Sequence, residues 1–253
     1  MKNLLDKILH SPLSDFIYDL YNDRKPLKLI YDPLDLDIEY YNRIKNLGDA
    51  ELEHQVGRLT NFKEIIDKCK KLKGDFVEYG SWQGFSLLWI GYLMERQAMF
   101  DRKIIGLDGF IGLPFSDGVF KKGQFINTSY KLCKRNVYKN NILYDRTKKN
   151  MYIGRFLFNQ KQEIYQYFKN IGVSQFCFIH IDCDISQPIK DIFDVLTKKN
   201  LIANKAYILF DDYGWKTKMK ETVDKTFKTL SADWSISEDS GTKYTKNFYF
   251  VKK

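Results

Sequence analysis

The stretch Phe176–Asp184 (FCFIHIDCD) constrains the chain most. Its first six residues are apolar except for His180, too short a run for a helix and bounded by polar residues, which is the pattern of a strand covered on both faces in a parallel sheet. Asp182 and Asp184 then fall where that strand ends, and in open α/β sheets ligands bind at the carboxyl ends of the strands. The pattern recurs at Ala206–Phe210 (AYILF), which runs into Asp211, Asp212, Tyr213 and Gly214. Two neighbouring parallel strands ending this way place up to four carboxylates close together, and a cation is the usual answer to that repulsion.

A second stretch, Asp75–Ser86 (DFVEYGSWQGFS), reads as strand Phe76–Tyr79, a glycine-bearing turn Gly80–Gly84 and a helix Phe85–Arg96. It has the form of the first βα unit of a Rossmann-like sheet, with glycines that let a ligand approach the backbone and helix-start amides that donate to it. The full G-x-G-x-x-G of nicotinamide binders is absent. Lys103–Leu107 reads as the next strand, ending in Asp108. A carboxylate there can accept from both hydroxyls of a ribose, or it can simply form the turn of DGFIGLP. Gly109–Gly123 reads as a loop able to lie over a ligand.

The remaining pattern alternates strand and helix. Asp49–Leu72, Thr128–Tyr138, Gln160–Asn170, Ile189–Lys199 and Lys216–Leu230 have helical spacing, and Met151–Phe158 is the weakest of the strands. Asp233–Ser237 and Asn247–Val251 read as a closing hairpin across Glu238–Lys246. Nearer the start, Asn3–Leu9 and Leu13–Tyr21 read as short helices and Leu36–Lys45 is ambiguous between helix and strand. The expectation is an α/β, Rossmann-like, doubly wound and mostly parallel sheet in one domain (74–253), preceded by a helical extension or lid (1–73). His54 reads as a structural or exposed residue, and His180 as a core residue.

At 253 residues with 44% hydrophobic and 16% aromatic content, the chain is long and apolar enough for one large core. Forty-one Lys and Arg against 32 Asp and Glu give a net charge of +9, spread through helical stretches as a solvated surface and suited to phosphate-bearing ligands. No RNP or zinc-finger spacing accompanies it, so no nucleic-acid partner is expected. The four cysteines form no C-x-x-C pair, which fits reduced thiols in a cytoplasmic protein better than a disulfide framework. No segment of transmembrane length and no signal peptide is recognisable, so no membrane association is expected.

GDFVEYGSWQGFS, LDGFIGLP, FIHIDCD and LFDDYG, in this order and spacing, resemble the motifs of the macrocin and mycinamicin O-methyltransferase family, across about Asp75 to Gly214. That resemblance implies a class I methyltransferase fold, S-adenosylmethionine as methyl donor, a divalent cation, usually Mg2+, and a small-molecule sugar as acceptor. Residue by residue, it puts metal ligands at Asp182, Asp211 and Asp212 and the catalytic base at Asp184. Cofactor contacts fall on Glu78, Gly80, Gly84 and Ser86 with the adjoining Tyr79 and Phe85, on Asp108 with Gly109 at the ribose, and on Asp182. The chain departs from the family at Ala203-Asn204-Lys205, where a glycine pair is common, and at Ser186-Gln187-Pro188, where the usual segment is Tyr-Glu-Ser/Thr-like. No residue is assigned to adenine.

The expected activity is therefore methylation of a sugar hydroxyl. The charge suits a nucleotide-activated sugar, and the Lys-, Asn-, Ile- and Tyr-rich composition of an AT-rich gene suits a surface polysaccharide. A metal-dependent glycosyltransferase using Asp182-Cys183-Asp184 as its D-x-D, and an O-methyltransferase of a non-sugar diol, are the competing readings. The aromatic-rich N-terminal segment is suited to cover the site or to form a homo-oligomer interface.

Overall fold

The computed structural model describes residues 49–139, 143–156, 161–215 and 217–253. The expected helices at Asn3–Leu9 and Leu13–Tyr21, and the ambiguous Leu36–Lys45, lie outside the described residues. In chain order the elements are α1 (Asp49–Cys69), β1 (Asp75–Tyr79), α2 (Phe85–Arg96), β2 (Ile104–Asp108), α3 (Tyr130–Lys139), α4 (Asp145–Lys149), β3 (Met151–Arg155), α5 (Lys161–Asn170), β4 (Phe176–Ile181), α6 (Gln187–Lys198), β5 (Ile202–Phe210), α7 (Met219–Leu230), β6 (Trp234–Gly241) and β7 (Lys246–Lys252).

The strands form one seven-stranded sheet in the order β3-β2-β1-β4-β5-β7-β6, parallel throughout except for β7, which runs antiparallel to both β5 and β6. The direction of strand order reverses between β1 and β4, which makes their carboxyl ends the switch point where such sheets open a crevice. Strand β4 is buried along its whole length, the direct consequence of an apolar run covered on both faces. Helix α6 shows why its sequence is helical: Ile189, Ile192, Phe193, Val195 and Leu196 are all buried on one side, and Pro188 sits in the first turn where its missing N–H costs nothing. Local hydrogen bonds mark where two other helices start. Ser129 Oγ caps α3 by accepting from Leu132 N at 3.0 Å, and ahead of α7 Thr217 Oγ1 accepts from Met219 N at 3.1 Å in a serine/threonine-type turn.

The core has two layers, one on each sheet face. One packs α5, α6 and α7 through Phe168, Ile192, Phe193 and Val223 against Ile179, Ile208, Phe210 and Phe250. The other packs α1, α2 and α3 through Phe62, Ile65, Leu87, Met94 and Val137 against Phe76, Ile104 and Phe178. Helix α1 is therefore built into the same core as the sheet.

Three boundaries differ from expectation. Strand β5 starts at Ile202, so Ala203-Asn204-Lys205 is strand and not a loop; Asn204 and Lys205 are exposed at its polar beginning, which hid the strand. The β6–β7 hairpin is longer than expected, with only 242–245 between the strands, because the outer strand exposes Ser235, Glu238, Asp239 and Gly241 and so resembles a loop. Helix α7 begins three residues later than Lys216, at Met219. All four cysteines are free thiols, three of them buried, and no helix among the described residues is long and apolar enough to cross a membrane.

Candidate active site

A cavity of about 530 Å³ opens at the switch point, lined from the turn after β1, the end of β2 and its following loop, the ends of β4 and β5, and α1. Gly80 sets its floor. The residue has φ +97°, and a Cβ there would lie 1.6 Å from the carbonyl oxygen of Asp182, so the β1 turn and the end of β4 approach to a distance only glycine permits. Asp182 N in turn donates to Tyr79 O at 2.8 Å. Gly84, at φ +91°, opens α2 in close contact with Val137 and Cys133 of α3.

Gly80, Phe85, Ser86, Asp108, Gly109, Asp182, Asp184, Asp211 and Asp212 line the cavity, which brings together most of the residues singled out in the sequence. Glu78, Tyr79 and Gly84 are not among the lining residues. Tyr79 packs into the core against Phe156, with ring centroids 5.2 Å apart. Glu78 is fully buried and directed at its cross-strand neighbour, with His180 Nδ1 2.9 Å from Glu78 Oε1. Asp108 combines both roles weighed for it: it accepts from Trp82 N at 2.8 Å and Phe110 N at 2.5 Å, forming the turn. Each carboxylate oxygen still has a lone pair for a hydroxyl.

The acidic cluster assembles as the strand pairing dictates. Ile181 and Phe210 are register partners on β4 and β5, so the residues that follow them emerge side by side. One oxygen from each of Asp182, Asp184 and Asp212 lies within 4.8 Å of the others, and His54, Asp211 and Asp212 form a second such group. Asp184 takes a left-handed backbone, φ +58°, a strained conformation of the kind held at functional sites. Burial and mutual repulsion push Asp182, Asp184 and Asp212 well above the usual carboxylate range. Asp211 goes the other way: burial alone would raise it, but Arg58 and His54 hold it well below.

Helix α1 supplies what the sequence did not reveal. His54, expected to be structural or exposed, is buried in the cavity wall with Nε2 3.0 Å from Asp211 Oδ2, although without hydrogen-bond alignment. Arg58 Nη1 donates to Asp182 Oδ2 at 3.2 Å and to Asp211 Oδ2 at 3.1 Å. Nothing local marks this pair, because α1 carries polar residues on its exposed faces as well, Thr60, Lys63, Glu64 and Asp67 among them. Trp82, Phe120, Phe125 and Trp215 form an aromatic wall, with Phe120 6.4 Å from Phe125 and 6.5 Å from Trp215 between ring centroids. Phe156, just beyond β3, closes the Asp108 side.

His180 is a core residue, as expected, but a polar one. Burial would lower it, yet the Asp211 carboxylate facing Nε2 at 3.9 Å and the Glu78 hydrogen bond raise it to about 9. Because the folded value lies above the unfolded one of 6.5, its contribution to stability is complete below pH 6.5 and lost as pH rises through 9, on the order of 3 kcal/mol. Thermal melts of the chelator-treated protein from pH 6 to 10 should fall more steeply for wild type than for His180→Gln. Equal slopes would contradict this assignment.

The fold and the crevice define a Rossmann-like class I methyltransferase. The sequence profile of the macrocin-O-methyltransferase (TylF) family matches residues 54–233, well over half of the chain, and the chain belongs to that family. It is accordingly an S-adenosylmethionine-dependent O-methyltransferase. Among solved structures, the calicheamicin methyltransferase CalS11 is similar at 14% identity and a TM-score of 0.64, covering 94% of this chain and 92% of that one. The O-methyltransferase NovP is similar at 17% identity and 0.59, covering 78% and 81%. An apo structure of CalS11, described as a TDP-rhamnose 3'-O-methyltransferase, gives 14% and 0.58, covering 94% of each chain. At these identities the likeness is one of fold. Comparison with curated protein sequences gives no match.

Proposed function

We propose that this O-methyltransferase methylates a sugar hydroxyl with the help of a divalent cation, with Asp184 as proton acceptor. The observation that carries the reading is the cluster of carboxylates at the ends of β4 and β5, in one cavity with the Gly80 turn and Asp108. The family's macrocin name and the description of CalS11 as a TDP-rhamnose 3'-O-methyltransferase support a sugar acceptor.

The residues suit a hard ion. Asp212 Oδ2 is buried without a hydrogen-bond partner, which is costly unless something positive meets it, and an all-carboxylate set favours magnesium, manganese or calcium over zinc. Asp182, Asp211 and Asp212 would hold it, with Asp184 beside them. Bound there, the ion supplies positive charge that makes a neighbouring hydroxyl easier to deprotonate.

Around the donor, the Gly80 turn lets the backbone approach, the first amides of α2 at Phe85 and Ser86 offer hydrogen-bond donors, and Asp108 accepts from the ribose hydroxyls. S-adenosylmethionine brings a methyl group already activated on sulfonium, so the protein's task is alignment and proton removal. Asp184 takes the acceptor hydroxyl's proton as the oxygen–methyl bond forms and the sulfur–methyl bond breaks.

A panel of uncharged glycosides and nucleotide-sugars, offered with labelled S-adenosylmethionine, tests the reading. Methylation of a sugar that stops with EDTA and returns with magnesium is expected; full transfer in EDTA would remove the cation from the account. Turnover of nucleotide-sugars over their uncharged counterparts would match the net charge of +9, and the reverse preference would remove the phosphate-bearing acceptor.

A further inference from the structure

The acidic cluster already holds a cation of its own. Arg58 Nη1, from α1, lies between Asp182 Oδ2 at 3.2 Å and Asp211 Oδ2 at 3.1 Å, so one guanidinium nitrogen bridges the ends of two adjacent strands. His54, one helical turn earlier, places Nε2 3.0 Å from the same Asp211 oxygen. A nitrogen in contact with both oxygens fills the space between them, and by charge as well as volume it excludes a metal ion from that space. On the other flank of the cluster one oxygen each of Asp182, Asp184 and Asp212 gather within 4.8 Å of one another, and Asp212 Oδ2 is buried without a hydrogen-bond partner.

Two of the three residues that match the family's metal ligands, Asp182 and Asp211, are thus the two that Arg58 occupies. Arginine is suited to this place because it stays charged in a buried site and its fork contacts two carboxylates at once. Removing a buried guanidinium from its carboxylates is costly, and that cost is subtracted from whatever a metal gains there. By linkage, anything that loosens α1 strengthens metal binding, and metal loosens α1 by the same factor.

We propose that Arg58 is a resident counter-cation that a divalent ion must displace from Asp182 and Asp211, so that metal binding and the seating of α1 oppose each other. The inference rests on the cation-assisted reading above.

Mn2+ binding to the full chain, read by electron paramagnetic resonance with S-adenosylhomocysteine present and no acceptor, tests it directly. Arg58→Met is expected to bind Mn2+ about tenfold or more tightly than wild type, with Arg58→Lys in between. Unchanged or weaker binding in Arg58→Met would overturn the proposal and make Arg58 a positioning residue for the ligands. Because losing a buried charge partner of Asp182 and Asp211 can unfold the metal-free variant, hydrogen exchange on wild type provides a second reading: α1 amides should exchange faster at saturating Mn2+, and equal or slower exchange overturns the proposal. Absence of Mn2+ binding in wild type and Arg58→Met alike removes the cation-assisted reading and this inference with it, whereas wild-type binding left unchanged by Arg58→Met removes this inference alone.

Discussion

Gly80→Ala is expected to cost about 3 kcal/mol or more of stability and to abolish measurable binding of S-adenosylhomocysteine. The reason is local and steric. The new methyl group would sit 1.6 Å from the Asp182 carbonyl oxygen, a backbone atom that cannot swing aside, so either the β1 turn or the end of β4 must move. Both carry residues that line the cavity, and the shift would separate the glycine turn from the acidic cluster. The left-handed φ adds a smaller penalty common to any such glycine. Gly123 supplies the control: it also has positive φ, +85°, but nothing lies within 4 Å of its added Cβ, so Gly123→Ala should lose only about 1 kcal/mol. Paired melts and calorimetric titrations separate strain from collision, and equal losses in the two variants would show that the close approach at Gly80 does not matter.

Asp184→Asn is expected to lower turnover by roughly a hundred- to ten-thousandfold while S-adenosylhomocysteine binding is retained. An amide keeps the size of the side chain and its αL turn, which asparagine tolerates as well as aspartate does, but it cannot take a proton. The carboxylate is also well suited to the task, since burial and the neighbouring Asp182 hold its affinity for a proton well above the ordinary carboxylate range. Turnover is measured with whichever glycoside the acceptor panel identifies. Near-normal turnover in Asp184→Asn would assign the proton to another group.

The two predictions draw on features of very different legibility. Strands β1, β2 and β4 are readable because a parallel strand covered on both faces is written as a mostly apolar run, broken here only by Glu78 and His180, and their acidic or glycine ends mark where the cover stops. The neighbouring placement of Asp182 and Asp211 followed from that alone, given that β4 and β5 pair. Strand β5 and the hairpin strands look shorter in sequence than they are because Asn204, Lys205 and most of the polar residues of β6 are exposed, where nothing requires an apolar side chain.

Arg58 and His54 were not legible as site residues. Their partners lie far along the chain, Asp182 and Asp211, and contacts at such separation leave no local pattern. Glu78 carries a feature that no local pattern announces. The family resemblance makes it a cofactor contact, and in the fold its side chain is fully buried with Oε1 2.9 Å from His180 Nδ1, a pairing set by the register of β1 and β4. The aromatic wall of Trp82, Phe120, Phe125 and Trp215 comes from three separate loops, and only the folded chain collects it.

Calorimetric titration of the purified protein with S-adenosylhomocysteine, with magnesium present and after its removal by chelation, tests the central claim most directly. Binding in the micromolar range, at one site per chain, is the predicted result. Absence of binding under both conditions would contradict the account, because the Gly80 turn, Asp108 and the cavity between them would then have no donor to hold.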